Sequence, residues 1–302
     1  MKEENLNKMG VCGFCETFAE LQESHVIPAF VFKWLRKRSG TGHIRHSDSP
    51  NRRVQDGLKF PWLCEHCEGK FSRYETAFAN KVFYPWQTHA ARTLYKEWLL
   101  KFCVSVSWRV LKHARGHARV TPYTDEQQKL LDQAEIVWRA FLNDQCEHPG
   151  AFEQHLVFFD FATSTDIRDL PNNFNRFMTG AINFDIVGSE NSVQTFAKLG
   201  RFQIIGIIQK GPNRWEGTKV HVKHGILKPG KIVLPREMLD LYRTKAASIE
   251  TSFEEISPQQ NAKIKASVQR DMERFRDSDQ FRAIEADAKL FGIDAVRKKT
   301  TD

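Results

Sequence analysis

The sequence lacks any run of about 18 apolar residues, the length that a helix needs to cross a bilayer, so we expect no membrane partner. Its start, MKEENLNKMG, includes no apolar stretch, so we expect no secretory signal and a cytoplasmic location. Cysteine is also scarce, with six residues in a chain of 302. Because the cytoplasm keeps thiols reduced, closely spaced cysteines there point to metal binding rather than to disulfide bonds.

The region beyond residue 85 lacks the motifs of several common enzyme classes. It has no phosphate-binding Walker loop, no glycine-rich dinucleotide fingerprint and no nucleophile elbow. The sequence of this region therefore gives no signal for the chemistry that those motifs carry.

The chain has fewer acidic than basic residues: it contains 37 Asp and Glu and 45 Lys and Arg, which gives a net charge of +8. A basic excess favours a polyanionic partner, and we expect nucleic acid, with double-stranded DNA as the first choice. Basic residues cluster in the runs KWLRKRSG, SPNRRVQDG and HARGHAR, although such a run can also be no more than a solvated face. The first two runs supply candidate phosphate contacts at Arg36, Lys37, Arg38, Arg52 and Arg53.

Four of the six cysteines form two CxxC pairs, Cys12 with Cys15 and Cys64 with Cys67. One such pair is a weak signal, because redox turns and chance also produce it. Two pairs together offer the four thiolate ligands and the closed tetrahedral shell of a structural zinc site, so we predict one shared Zn²⁺. Of the remaining two cysteines, Cys103 falls in the apolar stretch LLKFCVSVSW, which is typical of a buried core thiol.

The segments around the two pairs predict a short series of elements. ELQESHVI predicts an extended segment, and Pro28 then suits the first turn of a helix whose apolar face carries Phe30, Val31, Trp34 and Leu35. SGTGHIRHSDSPNRRVQDG predicts a polar loop or hairpin. LKFPWLC predicts a second extended segment, and CEGKFSRYETAFANKVF predicts a helix that starts at the second CxxC pair.

This order of a CxxC knuckle, a strand with His, a loop and a second CxxC at a helix start resembles a treble-clef zinc module. More specifically, it resembles the zinc-bearing HNH (ββα-metal) endonuclease family, over roughly residues 9–85. In SHVIP, the family's strand ending is matched at His25, Val26, Ile27 and Pro28. In LCEHCEGK, the family's second half is matched at Leu63, Cys64, Cys67 and Lys70.

Three positions of the family are substituted in this chain. The acidic residue before the strand His is Ser24, the helix His is Glu68, and the central Asn would fall near Lys59. The resemblance implies that His25 is the general base that activates water for attack on a phosphodiester, because imidazole ordinarily titrates near neutral pH. In the family, the acidic residue and the helix His hold one divalent metal ion that stabilises the departing oxygen.

Carboxylates could rebuild that second metal site, with Mg²⁺ or Mn²⁺ as the ion, because these ions favour oxygen ligands. Glu68 can replace the helix His, and Glu75 follows about two helical turns later, on the same helix face. Asp56, in VQDG, is a third candidate that the loop could bring in. The predicted catalytic set is therefore His25, Glu68, Glu75 and Asp56, with Lys70 as a further nucleic-acid contact.

Each of these residues also has a structural interpretation, which the sequence leaves open. His25 can pack or cap within the zinc module, and Glu68 can complement the dipole at a helix start. Glu75 can pair with a surface cation, and Asp56 is by default a turn residue.

Beyond residue 85 the pattern changes. PWQTHAARTLYKEWLLKFCVSVSWRVLKHA predicts one long helix or two abutting ones, and TPYTDEQQKLLDQAEIVWRAFLND predicts another, with Thr124 as N-cap and Gln127 in a capping box. From about residue 150, HLVFFDFAT, GAINFDIVG, RFQIIGIIQK, TKVHV and KIVLP predict short strands of an antiparallel sheet. A charged helical tail follows Pro258, with a break at DSD, residues 277–279.

The predicted fold class is α+β, with an N-terminal treble-clef zinc module (HNH-like ββα), then helices, then a C-terminal antiparallel sheet with a helical tail. The predicted domains are a zinc-bound HNH-like domain at residues 1–85, a helical connector at 86–150 and an α+β accessory domain at 151–302.

The leading hypothesis for function is a metal-dependent endonuclease that hydrolyses phosphodiester bonds of nucleic acid. Defence against foreign DNA is a context that only the resemblance implies. The alternative is a non-catalytic zinc module that binds nucleic acid or protein, with a regulatory C-terminal domain. A protein partner or a homo-oligomer is compatible with either hypothesis.

Overall fold

A computed structural model describes residues 8–116 and 123–293 of the chain; Arg119, in the third basic run, lies outside them. The chain combines helices and sheets, as predicted. The strands are β1 (Met9–Val11), β2 (Phe18–His25), β3 (Ile44–His46), β4 (Ser49–Val54), β5 (Lys59–Cys64), β6 (Thr93–Lys96), β7 (Gln154–Phe158), β8 (Ile182–Ser189), β9 (Ser192–Leu199), β10 (Phe202–Gln209) and β11 (His224–Leu227). The helices are α1 (Ala29–Arg38), α2 (Glu65–Phe78), α3 (Tyr84–Thr88), α4 (Trp98–Gly116), α5 (Asp125–Leu142), α6 (Phe174–Gly180), α7 (Arg236–Glu254), α8 (Pro258–Arg270), α9 (Met272–Arg276) and α10 (Asp279–Phe291).

The chain divides into two compact units, and each unit contains three separate segments of the sequence. The first unit contains the described residues of Met1–Ala29, Gly57–Phe158 and Asn183–Val233. The second contains those of Phe30–Asp56, Phe159–Ile182 and Leu234–Asp302. The predicted domain boundaries near residues 85 and 150 stay a prediction.

In the first unit, the two CxxC pairs are carried by a three-stranded antiparallel sheet of order β1-β2-β5. Leu21 pairs with Cys64 across β2 and β5, and His25 pairs with Lys59 at the other end of the ladder. Helix α2 starts directly after Cys64 and packs on β2 and β5. Both predicted extended segments and the predicted helix start are therefore confirmed.

An aromatic cluster joins the first CxxC turn to helices α2 and α4 of the same unit. The ring of Phe14 lies 4.9 Å from that of Phe71 and 5.0 Å from that of Trp108, centroid to centroid. Trp62 stacks on Trp108 at 5.6 Å. Because such aromatic pairs bury large apolar surfaces, the cysteine-bearing turns are part of the core of this unit.

Between α2 and α4, the structure differs from the predicted helix, or pair of abutting helices, that starts at residue 85. A π-helical turn, Ala79–Phe83, leads from α2 into α3, and strand β6 then pairs antiparallel with β11. The prediction of one long helix or two abutting ones from residue 85 is therefore wrong over residues 89–97. Helix α4 itself is confirmed, with Cys103 fully buried in it, and α5 begins with the predicted capping box of Thr124 and Gln127.

A four-stranded sheet of order β7-β10-β9-β8 packs against α4. Strand β10 is antiparallel to both β7 and β9, as predicted. The sequence analysis missed β9, SVQTFAKL, whose buried Thr195 and Lys198 interrupt the apolar pattern. TKVHV and KIVLP form only isolated bridges, through Lys219 and Val233, so two of the predicted strands are wrong.

The second unit contains α1, the predicted hairpin of β3 and β4, and helices α6 to α10. Asp287 of α10 is fully buried and accepts hydrogen bonds from the backbone N–H of Asn175 at 2.7 Å and from Nε of Arg176 at 2.8 Å. These bonds hold α10 against α6. The predicted break at DSD is confirmed, because Ser278 is the N-cap of α10.

Candidate metal centre and active site

The sulfur atoms of Cys12, Cys15, Cys64 and Cys67 all lie within 4.8 Å of one another. A tetrahedral zinc ion with Zn–S bonds of about 2.3 Å separates its sulfur ligands by about 3.8 Å, and Sγ of Cys15 lies 3.7 Å from Sγ of Cys64. Among the described residues, no other group of three or more His, Cys, Asp or Glu side chains is placed to hold one metal ion. The four cysteines could thus hold one metal ion such as zinc.

The first CxxC turn is fixed by its contact with strand β5. The backbone N–H of Gly13 donates to the carbonyl of Trp62 at 2.9 Å. A Cβ atom at position 13 would collide with the indole ring of Trp62, so only glycine permits this close approach. The backbone N–H of Cys64 also donates to Sγ of Cys12, at 3.3 Å, which ties the two CxxC turns together.

The electrostatics of the cysteine cluster favour a bound cation. Burial raises the pKa of Cys67, and the neighbouring thiols raise it further. Although burial pushes the pKa of Cys15 upward, hydrogen bonds from Thr17, Cys12 and Cys67 lower it to about 6. Four sulfurs this close repel one another as thiolates, and the positive charge of a divalent cation would offset that repulsion, with release of the thiol protons on binding.

Next to the cysteine cluster, the end of β2 meets the first turn of α2. Ser24 is fully buried, and its hydroxyl donates to Oε2 of Glu68 at 2.7 Å. Glu68 lies in the first helical turn, one residue after Cys67. His25 follows Ser24 and is partly exposed, but its Nε2 atom is buried. The structure thus brings the side chains of Ser24 and Glu68 together, and His25 is the next residue of β2.

Further along α2, Glu75 forms an ion pair with Arg109 of α4, in which Oε1 of Glu75 lies 2.8 Å from Nη1 of Arg109. The same Nη1 donates to the backbone carbonyl of His25 at 3.0 Å. Burial raises the pKa of Glu75, Arg109 opposes that shift, and smaller effects come from Glu68, which raises the pKa, and His25, which lowers it. Glu75 is therefore a neighbour of the predicted base, with a buried guanidinium as its partner.

Arg109 is the residue of this site that the sequence analysis missed. Its side chain is 3% exposed, and its Nε donates to the carbonyl of Ser105, one turn back in α4. The sequence signal was weak, because one arginine within the apolar stretch SVSWRVL also fits the polar face of a helix.

Lys70 has contacts within the first unit. Its Nζ donates to the carbonyl of Leu142 at 3.1 Å and to Oδ1 of Asn143 at 3.0 Å. These acceptors lie at the C-terminal end of α5, where a cation stabilises the exposed carbonyls and the helix dipole. The amine thus has a structural role, and its contact with nucleic acid stays a prediction.

The other predicted nucleic-acid contacts, and Asp56, belong to the second unit. Arg38 donates to Asp279 from Nε at 3.0 Å and from Nη2 at 3.2 Å, in a bidentate pair. Arg52 is exposed on β4, and Asp56 is exposed in the bend that follows it. The remaining three predicted contacts, Arg36, Lys37 and Arg53, cluster around His43 and are described below.

Comparison of the chain with family models, with curated proteins and with solved structures finds no match. Within residues 8–116 and 123–293, no helix combines the length and the apolar character that crossing a membrane requires.

Proposed function

We propose that the chain is a metal-dependent endonuclease of the HNH-like (ββα-metal) kind, with DNA as its substrate and with a structural zinc ion on Cys12, Cys15, Cys64 and Cys67. Two features of the first unit support this proposal. Strands β2 and β5 and helix α2 follow the order of the treble-clef module that the sequence resembles. The thiol cluster also has the spacing of a closed four-cysteine zinc shell.

The hydrogen bond between Ser24 and Glu68 carries the proposal. In the resembled family, the acidic residue and the helix His at these two positions hold the catalytic metal. In this chain the corresponding side chains form a hydrogen bond at 2.7 Å, and Ser24 directly precedes His25 in β2. A hydroxyl and a carboxylate are oxygen donors, and Mg²⁺ commonly uses one or two carboxylates and keeps several waters.

In the proposed reaction, His25 accepts the proton of a water molecule, whose oxygen attacks the phosphorus of a phosphodiester as the bond to the leaving oxygen breaks. Mg²⁺ or Mn²⁺, bound through Glu68 and Ser24, would supply charge stabilisation for the departing oxygen. Arg109 positions His25 by holding its carbonyl, and Glu75 holds the guanidinium of Arg109.

Cleavage of supercoiled plasmid DNA by the purified zinc-loaded protein, with Mg²⁺ or Mn²⁺ added, tests this proposal. We expect His25→Ala to lower the rate by about 10²-fold or more, because general bases contribute typically 10²–10⁴-fold. His89→Ala is the matched control, because this histidine is exposed and lies in the loop after α3. Cleavage that survives His25→Ala would refute the role of His25.

Two variants at the proposed catalytic metal site sharpen the test. Glu68→Gln removes the carboxylate and should raise the Mn²⁺ concentration needed for half-maximal cleavage while the zinc content is unchanged. Ser24→Asp restores an acidic residue beside Glu68 and should lower that concentration, because a second carboxylate strengthens binding of a hard cation. If both variants needed the same Mn²⁺ concentration as the unsubstituted protein, the proposed metal site would be refuted.

The burial of Nε2 of His25 favours a second candidate, a zinc module that binds nucleic acid without cutting it. In that case, a labelled DNA duplex binds with a salt-dependent affinity, and no combination of metal ions yields cleavage. Retained binding with no cleavage by the folded, zinc-loaded protein would decide for this candidate.

A further inference from the structure

A basic pocket lies in the second unit, where helix α1 ends and the loop SGTG leads into β3. Its volume is about 560 Å³. Most of its lining side chains are basic, and none is acidic or a Phe, Tyr or Trp: Lys33, Arg36, Lys37, Thr41, Gly42, His43 and Arg274. Gly42 has a φ of +69°, and a Cβ atom at this position would lie 3.0 Å from Nη2 of Arg274, so glycine suits both the turn and the close approach of the guanidinium.

The arginines of this pocket are held by neutral acceptors. Nη1 of Arg36 donates to the carbonyl of Gln55 at 3.1 Å, and Nε of Arg274 donates to the carbonyl of Ser39 at 3.4 Å. Arg53 adds a further guanidinium, with Nη1 3.2 Å from Nε2 of His43.

Within the part of the chain that the structure describes, the basic residues in and beside the pocket form no ion pair with a carboxylate: Lys33, Arg36, Lys37, Arg45, Arg53 and Arg274. Arg38 differs, because it is neutralised by Asp279. The positive charge of the pocket is therefore uncompensated.

The electrostatic state of His43 agrees with this concentration of charge. Burial lowers its pKa, and four arginines lower it further, at positions 53, 45, 274 and 36. The C-terminal dipole of α1 can stabilise Arg36 and Lys37. It does not account for Arg53 or Arg274, which come from β4 and α9. Cations gathered from three elements around one concave space create a strong field for an anion.

The chemistry of the lining selects the type of anion. Guanidinium groups bind phosphate through paired hydrogen bonds, and the absence of carboxylates from the lining leaves nothing to repel a multiply charged ligand. The pocket is larger than one phosphate group needs, and its lining has no Phe, Tyr or Trp ring for a base to stack on. We propose that this pocket binds an oligophosphate chain, as carried by a nucleoside triphosphate or by a 5′-triphosphate end of a nucleic acid. The proposal does not depend on the endonuclease activity.

Isothermal titration of the full chain with sodium tripolyphosphate, at about 150 mM salt, where weak surface attraction is largely screened, tests the proposal. We expect saturable binding, and binding of inorganic orthophosphate at least about tenfold weaker, because orthophosphate reaches fewer of the cations. The double variant Arg36→Gln/Arg274→Gln should weaken tripolyphosphate binding about 100-fold, since each charge-assisted bond is worth about tenfold in affinity.

Arg270→Gln is the matched control, because it makes the same change of charge at an exposed position of α8 outside the pocket. It should leave the affinity within about twofold. Thermal unfolding of all variants verifies that they are folded. No binding of tripolyphosphate, or equal affinities for the double variant and the control, would overturn the proposal.

Competition experiments then distinguish the sources of the oligophosphate. ATP and a 5′-triphosphorylated oligonucleotide should each displace tripolyphosphate, and the stronger competitor identifies the source. An oligonucleotide with a 5′-hydroxyl end should displace it at least about tenfold less well, because phosphodiesters carry one charge each. Equal displacement by the 5′-hydroxyl oligonucleotide would show a surface for the phosphodiester backbone and overturn the proposal.

Discussion

Replacing Arg109 with methionine tests the buried ion pair that supports the predicted base. The variant leaves the carboxyl group of Glu75, which is 20% exposed, without its cation. It also removes the donor to the carbonyl of His25. Because loss of one partner of a buried pair costs about 3–5 kcal/mol, we expect the free energy of unfolding to fall by about 4 kcal/mol at about pH 8.

The effect of this substitution should depend on pH. Burial raises the pKa of Glu75 and Arg109 opposes that shift, so without Arg109 the pKa rises further. A carboxyl group whose folded-state pKa lies above its unfolded value stabilises the fold below the unfolded pKa, and this stability is lost as pH rises through the folded pKa. The destabilisation should therefore be smaller at about pH 5 than at about pH 8, by up to about 1.4 kcal/mol for each unit by which the folded-state pKa of Glu75 in the variant exceeds that in the unsubstituted protein.

Urea unfolding of the zinc-loaded protein, followed by tryptophan fluorescence, measures this effect, because Trp62 and Trp108 lie in the core beside Arg109. Glu75→Gln is the control: it leaves the guanidinium of Arg109 charged at both pH values and removes the carboxyl group whose pKa burial raises, so its cost should not be smaller at about pH 5 than at about pH 8. Equal destabilisation by Arg109→Met at the two pH values, or a cost below about 1 kcal/mol, would refute the reasoning.

Three further predictions concern the metal centre and local structure. Elemental analysis should find about one zinc ion per chain, and removing the zinc with a chelator should lower the melting temperature, because structural zinc contributes about 10 kcal/mol or more to folding; an unchanged melting temperature would contradict this. Gly13→Ala should destabilise the protein by about 1–3 kcal/mol in urea unfolding, because the new Cβ collides with Trp62. Thr124→Ala should cost about 1 kcal/mol by the same measurement and Thr124→Ser much less, since serine keeps the cap of α5.

The elements that the sequence predicted well are those with a local cause. Two CxxC pairs bring sulfurs together through short turns, Pro28 starts a helix by its fixed φ, and Thr124 caps one through its own hydroxyl. Strand β6 was missed because its partner β11 lies about 130 residues later, and such long-range pairing leaves no local periodicity. Strand β9 was missed because Lys198, fully buried in it, resembles a surface residue by type alone.

In the candidate site, too, contacts between neighbouring elements could be predicted, whereas contacts that depend on long-range packing could not. The proximity of Ser24 and Glu68 follows from local elements, because one strand pairing and one helix start join them. The role of Arg109 could not be predicted, since it comes from 84 positions beyond His25, on a helix whose rotation only the packed core sets. The basic pocket was not predicted: Arg36 and Lys37 were singled out only as members of a basic run, and Arg274 reaches the pocket from a distant helix.

Because Glu68 lies next to the cysteine cluster, removing the zinc ion cannot by itself show whether Glu68 binds a second, catalytic metal ion. Glu68 follows Cys67 in the first turn of α2, and β5, which pairs with the strand of Ser24 and His25, ends at Cys64. Under the proposed function, removing the zinc ion would therefore shift Glu68 relative to Ser24, and cleavage would stop whether the zinc or a second metal ion takes part in the chemistry. Only a change that keeps the four thiolates intact separates the two roles. Glu68→Gln, with full zinc content and a normal melting temperature, is that change, and its Mn²⁺ dependence decides whether the carboxylate holds a catalytic ion or only complements the helix dipole.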